Sequence, residues 1–499
     1  MKNRIRTPFA IALLLCLAVL LNTSPAGATT HVTSHTSQKA AFASQGQGHA
    51  SAKKVSTDTV AQVKSSGQGA APMRQGPGGP ALHLSPGHVT QAPTPPTTDL
   101  SVKSSFEGIS DDGYYPSDSN GAGGLKNYIE AVNTQFEVYS RTGTKQYNTD
   151  FHTWFNYSNY LTDPHVVWDD WGSRFIMLIQ TNSSILLTVA QQTSGLGNYC
   201  NYSFNTLSGY SPDYPELGVD YNGIYFTINL YPSSGAVISE LFYIPRTASE
   251  SCQGFNYNYY WGLTNPDGSY AFTVVPAVQH SYPGNVEYLV NSYWYGACQL
   301  TLWNLTSDGT LTRSTVNTQC YSPPPVAKQK GSSGTIEVFD SRLYHVSYLN
   351  GLVNVSTVGQ HDWGDGNGNV GIVEWFRINP STSSISSQGS FGTPGYWLFF
   401  PEMDVTDNNH ILFSYNASGP NSYVNVWAIS GCLCDTFALA TGNSYYGTSG
   451  TGRWGDFASA WLDPKYSTSG IRNAIYITGQ YARATNSWGT RAARIVPHA

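Results

Sequence analysis

The sequence predicts an all-β fold, a β-propeller of seven blades with six or eight as the alternatives, preceded by a disordered leader. Three observations carry this. Between about Asp118 and the C-terminus the chain repeats one pattern seven times: a polar or acidic start, a β-rich run, a tight turn, a second β run, then a strand of alternating apolar residues. The pattern is plainest in Glu216-Leu-Gly-Val-Asp220-Tyr-Asn-Gly-Ile-Tyr-Phe-Thr-Ile and Glu402-Met-Asp404-Val-Thr-Asp-Asn-Asn-His-Ile-Leu-Phe, where an apolar strand breaks at a turn and resumes. Elsewhere Val, Ile, Tyr, Phe, Trp and Thr cluster between Gly, Asn, Asp, Pro and Ser breaks, and no convincing amphipathic helix interrupts them.

The seven units start near Asn120-Gly, Asp163-Pro, Pro215-Glu, Pro276-Ala, Arg342-Leu, Pro401-Glu and Asp456-Phe, about 56 residues apart on average, which holds four strands and their loops. Each closes on a third strand: Gln135-Phe-Glu-Val-Tyr, Ile185-Leu-Leu-Thr-Val, Ile238-Ser-Glu-Leu-Phe-Tyr-Ile, Gln299-Leu-Thr-Leu-Trp, Ile372-Val-Glu-Trp-Phe-Arg-Ile, Tyr423-Val-Asn-Val-Trp-Ala-Ile and Arg491-Ala-Ala-Arg-Ile-Val. Several alternate apolar with polar, as a strand buried on one face must. The apolar positions of 125–139 fit two strands around Asn133 and Thr134 better than one helix. The competing architecture is a pair of β-sandwiches. Its one candidate linker, from Ser322-Pro-Pro-Pro325 to Gly334, reads more simply as a long loop between blades.

Residues 1–28 form an expected signal peptide: Lys2, Arg4 and Arg6, an apolar run over 9–21, and the small residues Pro25-Ala-Gly-Ala28. The run is shorter than the roughly 20 residues that span a bilayer. The chain is therefore expected to be secreted or extracellular, with no membrane span, and a monomer. Residues 29–104 are Ser, Thr, Gln, Gly, Ala, Pro and His with little to bury, and are expected to be a disordered stalk. Residues 105–499 form the propeller domain.

Export makes disulfides the default for the six remaining cysteines. Sequence neighbours in a propeller are spatial neighbours, so Cys200 is expected to pair with Cys252 and Cys298 with Cys320. Cys432-Leu-Cys434 is either an unusual closed pair or reduced. Residues 105–499 carry 16 Lys and Arg against 29 Asp and Glu, a balance that repels phosphate backbones and argues against nucleic acid. Only 11% of residues are charged, while 13% are aromatic with 34 tyrosines. Such a surface suits either an exported protein in acid or contact with sugars.

In a propeller the starts of the innermost strands surround a central channel. Asp118, Asn120, Asp163, Glu216, His280, Arg342, His345, Glu402, Asp404 and Asp456 are the candidates for a polar funnel there. The competing role is structural, since Asp and Asn at strand starts cap turns through backbone amides. Glu216 and Glu402 both follow a proline and are the candidate carboxyl pair, because glycoside hydrolysis needs two carboxyls flanking one bond. Repeated blades also repeat structural residues. Asp365-Gly-Asn367-Gly-Asn369 spaces oxygen ligands as a calcium loop does but lacks a distal Glu, so a plain turn competes. No other cofactor is expected. Among the aromatics, the run from Asn256 to Trp261, with Tyr259 and Trp261, is the exposed candidate for stacking on a sugar.

Asp118-Ser-Asn120-Gly-Ala-Gly-Gly with Tyr128-Ile-Glu-Ala-Val-Asn133-Thr-Gln-Phe-Glu-Val-Tyr resembles the first blade of a group of uncharacterised secreted bacterial β-propeller proteins. Further matches are Asp163-Pro-His-Val-Val-Trp-Asp169 with Arg174-Phe, Pro215-Glu216-Leu-Gly-Val, and Arg453-Trp-Gly-Asp456-Phe-Ala-Ser with Asp463-Pro and Trp488-Gly-Thr-Arg491. This resemblance implies the fold and no chemistry. A looser one is to the sialidase-like superfamily, whose Ser-x-Asp-x-Gly-x-Thr-Trp turns survive only as Asn265-Pro-Asp-Gly-Ser-Tyr and Ser307-Asp-Gly-Thr. The function expected is a non-catalytic module binding a glycan or another cell-surface component. The alternatives are a glycoside hydrolase or lyase using funnel carboxylates, and a structural extracellular protein.

Overall fold

Each of the first six repeats folds into a four-stranded antiparallel meander. The first comprises Asn120–Gly123, Asn127–Val132, Gln135–Ser140 and Lys145–Asp150. A computed structural model describes residues 38–39, 43–65, 69–71, 74, 76, 81–93, 100–447 and 450–498; the expected signal peptide lies outside them. Six more units follow, their innermost strands being Thr162–Asp169, Tyr210–Val219, Val275–Pro276, Leu343–Leu349, Trp397–Val405 and Ser459–Leu462. Each innermost strand touches the next, and Ser459–Leu462 returns to Asn120–Gly123, so the ring is closed. Val278–Gln279 pairs in parallel with Val219 on one side and with Ser347 and Tyr348 on the other, which joins the third and fifth blades into one eleven-stranded sheet.

The expected third strands all take the third place in their blades, and the 125–139 region forms two strands meeting at Asn133 and Thr134. Helix is confined, among the described residues, to two short pieces that the sequence reading omits. One is Phe151–Phe155, started by Asp150, whose carboxylate accepts the Thr153 N–H, and ended at Asn156 in the left-handed region. The other is Arg246–Glu250.

The last blade takes its outer strand from the other end of the chain. Ser101–Ser110 pairs antiparallel with Ser487–Val496, so the propeller begins at about 101 rather than 105. This pairing ties the two ends of a ring whose contacts are otherwise local. Five further stretches of the expected stalk are also strands where described, two of them longer than three residues. Ser44–Ala50 adds a fifth strand to the third blade along Phe255–Trp261, and Lys53–Ser56 does the same for the second blade. The first addition works by alternation. Gly46 and Gly48 lie under Tyr259 and Tyr257, where an added Cβ would come within 2.5 and 2.2 Å of ring atoms. On the other face Gln47 Nε2 donates to Asn258 Oδ1 at 3.2 Å and His49 Nδ1 lies 3.0 Å from Asn256 Oδ1. These residues lack the apolar content of a strand and are ordered by an edge already in place.

Blade faces are sealed by aromatic and aliphatic packing. Trp154 meets Phe136 edge-on at 5.1 Å and Tyr199 at 5.2 Å, while its indole N–H donates to Thr188 Oγ1 at 3.2 Å. The expected pairs Cys200–Cys252 and Cys298–Cys320 are both bonded, and Cys432–Cys434 is a third disulfide. Three disulfides fit an oxidising compartment. No described helix is long and apolar enough to cross a membrane.

Neighbouring innermost strands are stapled by side chains, because the edge facing the axis has no further strand to pair with. Asn120 Oδ1 accepts the Val166 N–H at 2.9 Å, and its Nδ2 donates to the Ala458 carbonyl at 3.3 Å, holding blade 1 to blades 2 and 7. Asp404 Oδ2 accepts the Leu462 N–H at 2.6 Å, and from the second strands of the third and fifth blades Asn229 Oδ1 accepts the Thr273 N–H at 2.8 Å and Ser356 Oγ donates to the Pro401 carbonyl at 3.0 Å. Replacing Asn120 by Ala strands a buried N–H and a buried carbonyl, so Asn120→Ala should lose about 1–3 kcal/mol of unfolding free energy, read from the urea midpoint.

Many carboxyls are buried without a cation. Burial pushes Glu130, Glu240 and Glu374 each up to about 8. Their protons stay on in the fold at pH values where the unfolded chain, titrating near 4.5, has released them. The folded state thus carries no ionisation cost below about pH 4.5 and an increasing one as pH rises toward 8. We expect the melting temperature to be highest in mild acid and to fall between those limits. Glu374→Gln, which keeps shape and removes the titration, should raise the melting temperature more at pH 8 than at pH 5; equal shifts at both would contradict this.

Candidate functional site

The structure separates the expected funnel residues into three levels along the axis. Asp118, Asp163, Arg342 and Asp456 lie at the mouth where the inner strands begin. Asn120, Glu216, His345 and Glu402 lie within the channel wall. His280 and Asp404 belong to the opposite mouth, because they fall at the ends of their strands rather than the starts. The idea of one funnel holding all ten is corrected accordingly: inner strands run from one mouth to the other, and residues at opposite ends cannot converge.

At the first mouth the carboxylate oxygens of Asp118, Asp163 and Asp456 come within 4.8 Å of one another, and all three residues are buried. Their oxygens are already engaged. Asp118 Oδ1 accepts the Asp456 N–H at 2.7 Å and its Oδ2 accepts from Asn133 Nδ2 at 2.6 Å. Asp163 accepts from Thr162 Oγ1 at 3.0 Å and from the Tyr214 N–H at 3.3 Å, and both Asp456 oxygens face the Arg453 guanidinium. Burial, then the neighbouring carboxyls, holds Asp118 and Asp163 well above the usual range, which favours their protonated forms. These acids act as staples between blades.

Arg342 is buried at the same level. Its guanidinium grips Asp340 at 2.9 and 2.8 Å and stacks on Tyr214 at 4.3 Å and Phe339 at 4.5 Å. Deeper in, Glu216 and Glu402 occupy equivalent places, each just after a proline in a bulge of the innermost strand: Asp213 and Glu216 flank one register shift, Phe399 and Glu402 the other. Proline suits these bulges because the ladder needs no N–H there. Burial first, then Glu402, raises Glu216 well above the carboxylate range; burial first, then Asp404, does the same to Glu402. Burial lowers His165 to about 3 and His345 to about 4. His165 packs edge-on to Phe457, and His345 to Trp461, each at 4.5 Å. Glu216 and Glu402 thus favour their protonated forms, and His165 and His345 their neutral ones.

The second mouth is different. His280 Nδ1 lies 2.8 Å from Asp170 Oδ2 and its Nε2 lies 3.3 Å from Asp404 Oδ2. Arg472 reaches Asp170 at 2.6 Å, Asp407 at 2.8 Å and the His280 carbonyl at 3.0 Å. Burial alone would lower His280, but Asp404 and Asp170 outweigh it and hold the imidazole at about 9, charged at neutral pH. Over this network opens a pocket of about 370 Å³ lined by Trp168, Asp170, Trp171, His280, Tyr466 and Arg472 among others. Trp171 donates its indole N–H to the Gln279 carbonyl at 3.0 Å and meets Tyr221 and Tyr282 edge-on at 5.7 and 6.1 Å. Of the seven exposed large apolar or aromatic side chains among the described residues, Leu125, Tyr221, Tyr282 and Tyr466 stand at this mouth, the last 62% exposed. Contiguous exposed patches of this kind mark interaction sites.

Of the predicted residues, only His280 lines this pocket, with Asp404 supporting it. Trp171, Tyr221, Tyr282, Tyr466, Asp170 and Arg472 escape the sequence reading. A signal for three of them does exist: Trp171, Tyr221 and Tyr282 all sit in the turns just after innermost strands, in Asp169-Asp-Trp-Gly, Asp220-Tyr-Asn-Gly and His280-Ser-Tyr-Pro-Gly. An aromatic at a polar turn has no core to enter. The run from Asn256 to Trp261 is not the free edge expected, because Ser44–Ala50 covers it. Tyr259 is half-buried, stacked on Trp261 at 5.4 Å, and Trp261 lines a separate rim pocket of about 550 Å³ with Tyr210 and Tyr270. Asp365 accepts the Asn367 N–H at 3.0 Å and its Nδ2 at 3.1 Å, which makes that loop a self-bonded turn; Asn369 starts the following strand.

No protein-family model matches the chain, and no curated protein matches it in sequence. Among solved structures, an endo-arabinase from Bacteroides thetaiotaomicron is similar at 12% identity, over 57% of this chain and 95% of its own, with a TM-score of 0.29. A sialidase from Trypanosoma rangeli is similar at 10% identity, over 75% of this chain and 58% of its own, at 0.35. An exo-β-1,3-galactanase from Clostridium thermocellum is similar at 11% identity, over 80% of this chain and 99% of its own, at 0.29. With scores this low, the propeller assignment stands on the strand pairing and the closed ring, and no activity passes from these proteins to this chain.

Proposed function

We propose that the protein is an exported, non-catalytic propeller that binds a glycan at the mouth where its inner strands end. The observation that supports this reading is the cluster of Trp171, Tyr221, Tyr282 and Tyr466 around the pocket over His280, Asp170 and Arg472. Aromatic faces pack against the C–H faces of sugar rings, and a few fixed polar groups set orientation, the usual composition of a small-ligand site. Arg472 and His280 face three carboxylates, Asp170, Asp404 and Asp407, so the pocket offers paired donors and acceptors with one carboxylate in excess. That favours hydroxyl-rich ligands over strongly anionic ones.

A glycan array probed with the full-length mature protein is expected to return a carbohydrate ligand. Trp171→Ala and Tyr282→Ala should each weaken it about tenfold, roughly 1.4 kcal/mol, while Trp261→Ala at the separate rim pocket leaves it unchanged. Absence of any carbohydrate ligand for the intact protein defeats the proposal.

The second reading, a glycosidase or lyase using Glu216 and Glu402, draws support from the proximity of those two carboxyls in one channel. Both favour their protonated forms, which suits a base poorly. Glu216→Gln and Glu402→Gln are therefore expected to leave glycan binding intact and to shift the melting temperature by only about 2 °C. Turnover of a polysaccharide by the wild type that disappears in these variants would favour the enzyme instead.

A further inference from the structure

The Cys432–Cys434 disulfide is difficult to explain as a structural bond. A disulfide stabilises mainly by closing a loop in the unfolded chain, and the gain grows with loop length. Cys200–Cys252 and Cys298–Cys320 span sequence separations of 52 and 22 residues, whereas Cys432–Cys434 spans 2. The short bond restricts almost nothing that the backbone does not already restrict. It sits in the turn between Ser422–Ser430 and Thr436–Ala440 of the sixth blade, with both cysteines exposed. Leu433 between them is held at φ +55, a left-handed conformation that costs a leucine about 1–3 kcal/mol. The same leucine packs against the apolar core of the blade and its N–H donates to the Ser430 carbonyl at 2.9 Å. The turn is thus anchored by its middle residue, with a sulfur exposed on either side.

The surroundings of the two sulfurs differ. The Cys434 N–H donates to Cys432 Sγ at 3.4 Å, which favours negative charge on that sulfur. Cys434 Sγ instead lies 3.4 Å from Asp435 Oδ2, which disfavours charge there. The same Asp435 oxygen lies 2.6 Å from His498 Nδ1, and the His498 N–H donates to Ser430 Oγ at 3.1 Å, so the C-terminal segment brings an imidazole beside the pair.

We propose that Cys432 and Cys434 form a surface thiol–disulfide exchange centre that oxidises dithiols. A substrate thiolate attacks Cys434 Sγ, the sulfur–sulfur bond breaks, and Cys432 leaves as the thiolate that the Cys434 N–H stabilises. The substrate is now joined to Cys434 by a mixed disulfide. Its second thiol gives a proton to His498 and attacks the first substrate sulfur, closing the substrate disulfide and releasing Cys434. Protonation of both cysteines completes the transfer of two electrons and two protons from substrate to protein. The chemical class of substrate is a small-molecule or protein dithiol. The reverse exchange, with a disulfide as the oxidant, restores the ring. Exposed disulfides that add little stability are those that exchange readily.

The test uses the full-length mature protein in graded mixtures of reduced and oxidised glutathione, quenched by alkylation and read by peptide mass spectrometry. The Cys432 and Cys434 peptide should open and re-close reversibly at reductant levels at least about tenfold below those that open Cys200–Cys252 or Cys298–Cys320, a separation of some 30 mV for this two-electron couple. Cys432→Ser should accumulate a glutathione adduct on Cys434. His498→Ala should slow the exchange and change its pH profile while the circular dichroism spectrum stays native. The double variant Cys432→Ser/Cys434→Ser should melt within about 2 °C of wild type. The proposal is overturned if the pair opens only together with the other two disulfides, if it fails to re-form in a folded protein, or if the double variant is strongly destabilised.

Discussion

The innermost strands carry the constraint on which the rest of the molecule depends. Each is hydrogen-bonded to its own second strand on one edge and has the axis on the other, so its remaining backbone groups are buried with few strands to pair with. Such groups must find partners. The chain meets the requirement with side chains from adjacent blades: Asn120 reaches Val166 and Ala458, Asn229 reaches Thr273, and Asp404 reaches Leu462. Ring closure through Ser101–Ser110 then makes every junction depend on the others. An open array would leave a full row of these groups in water at each end.

This constraint explains where the most conspicuous acids lie. Asp118, Asp163 and Asp456 converge because seven strands converge, and their oxygens are consumed in holding those strands together. Glu216 and Glu402 likewise repeat one blade position, each following a proline in a bulge of an innermost strand. The mouth where the strands end carries staples too, from Asp404 to Leu462 and from Arg472 to Asp170 and Asp407. Its turns are free to carry Trp171, Tyr221 and Tyr282, and its charges pair among themselves around His280 and Arg472.

The low charge of the sequence has a related origin. Blades bury both faces, so Glu130, Glu240 and Glu374 are enclosed by β-sheet and remain protonated, and the fold tolerates them best in acid. Of the two explanations for a surface poor in charge, acid tolerance and contact with sugars, both have a structural counterpart here, in different parts of the molecule.

Periodicity was enough to read the architecture from the chain alone, because strand alternation, turn residues and the roughly equal spacing of starts are local properties. The third strands, the two strands meeting at Asn133 and the long loop after Ser322 follow from them, as do Cys200–Cys252 and Cys298–Cys320, which join neighbouring stretches. What lay beyond local pattern needed the closed ring. Which end of the channel receives His280 and Asp404 depends on strand direction about an axis. That Ser44–Ala50, with no apolar content of its own, becomes a strand depends on the alternating edge offered by Phe255–Trp261 more than two hundred residues away. Side chains that take their role from a distant partner, such as Asp170 and Arg472 at the binding mouth proposed here, leave no signature in their own neighbourhood.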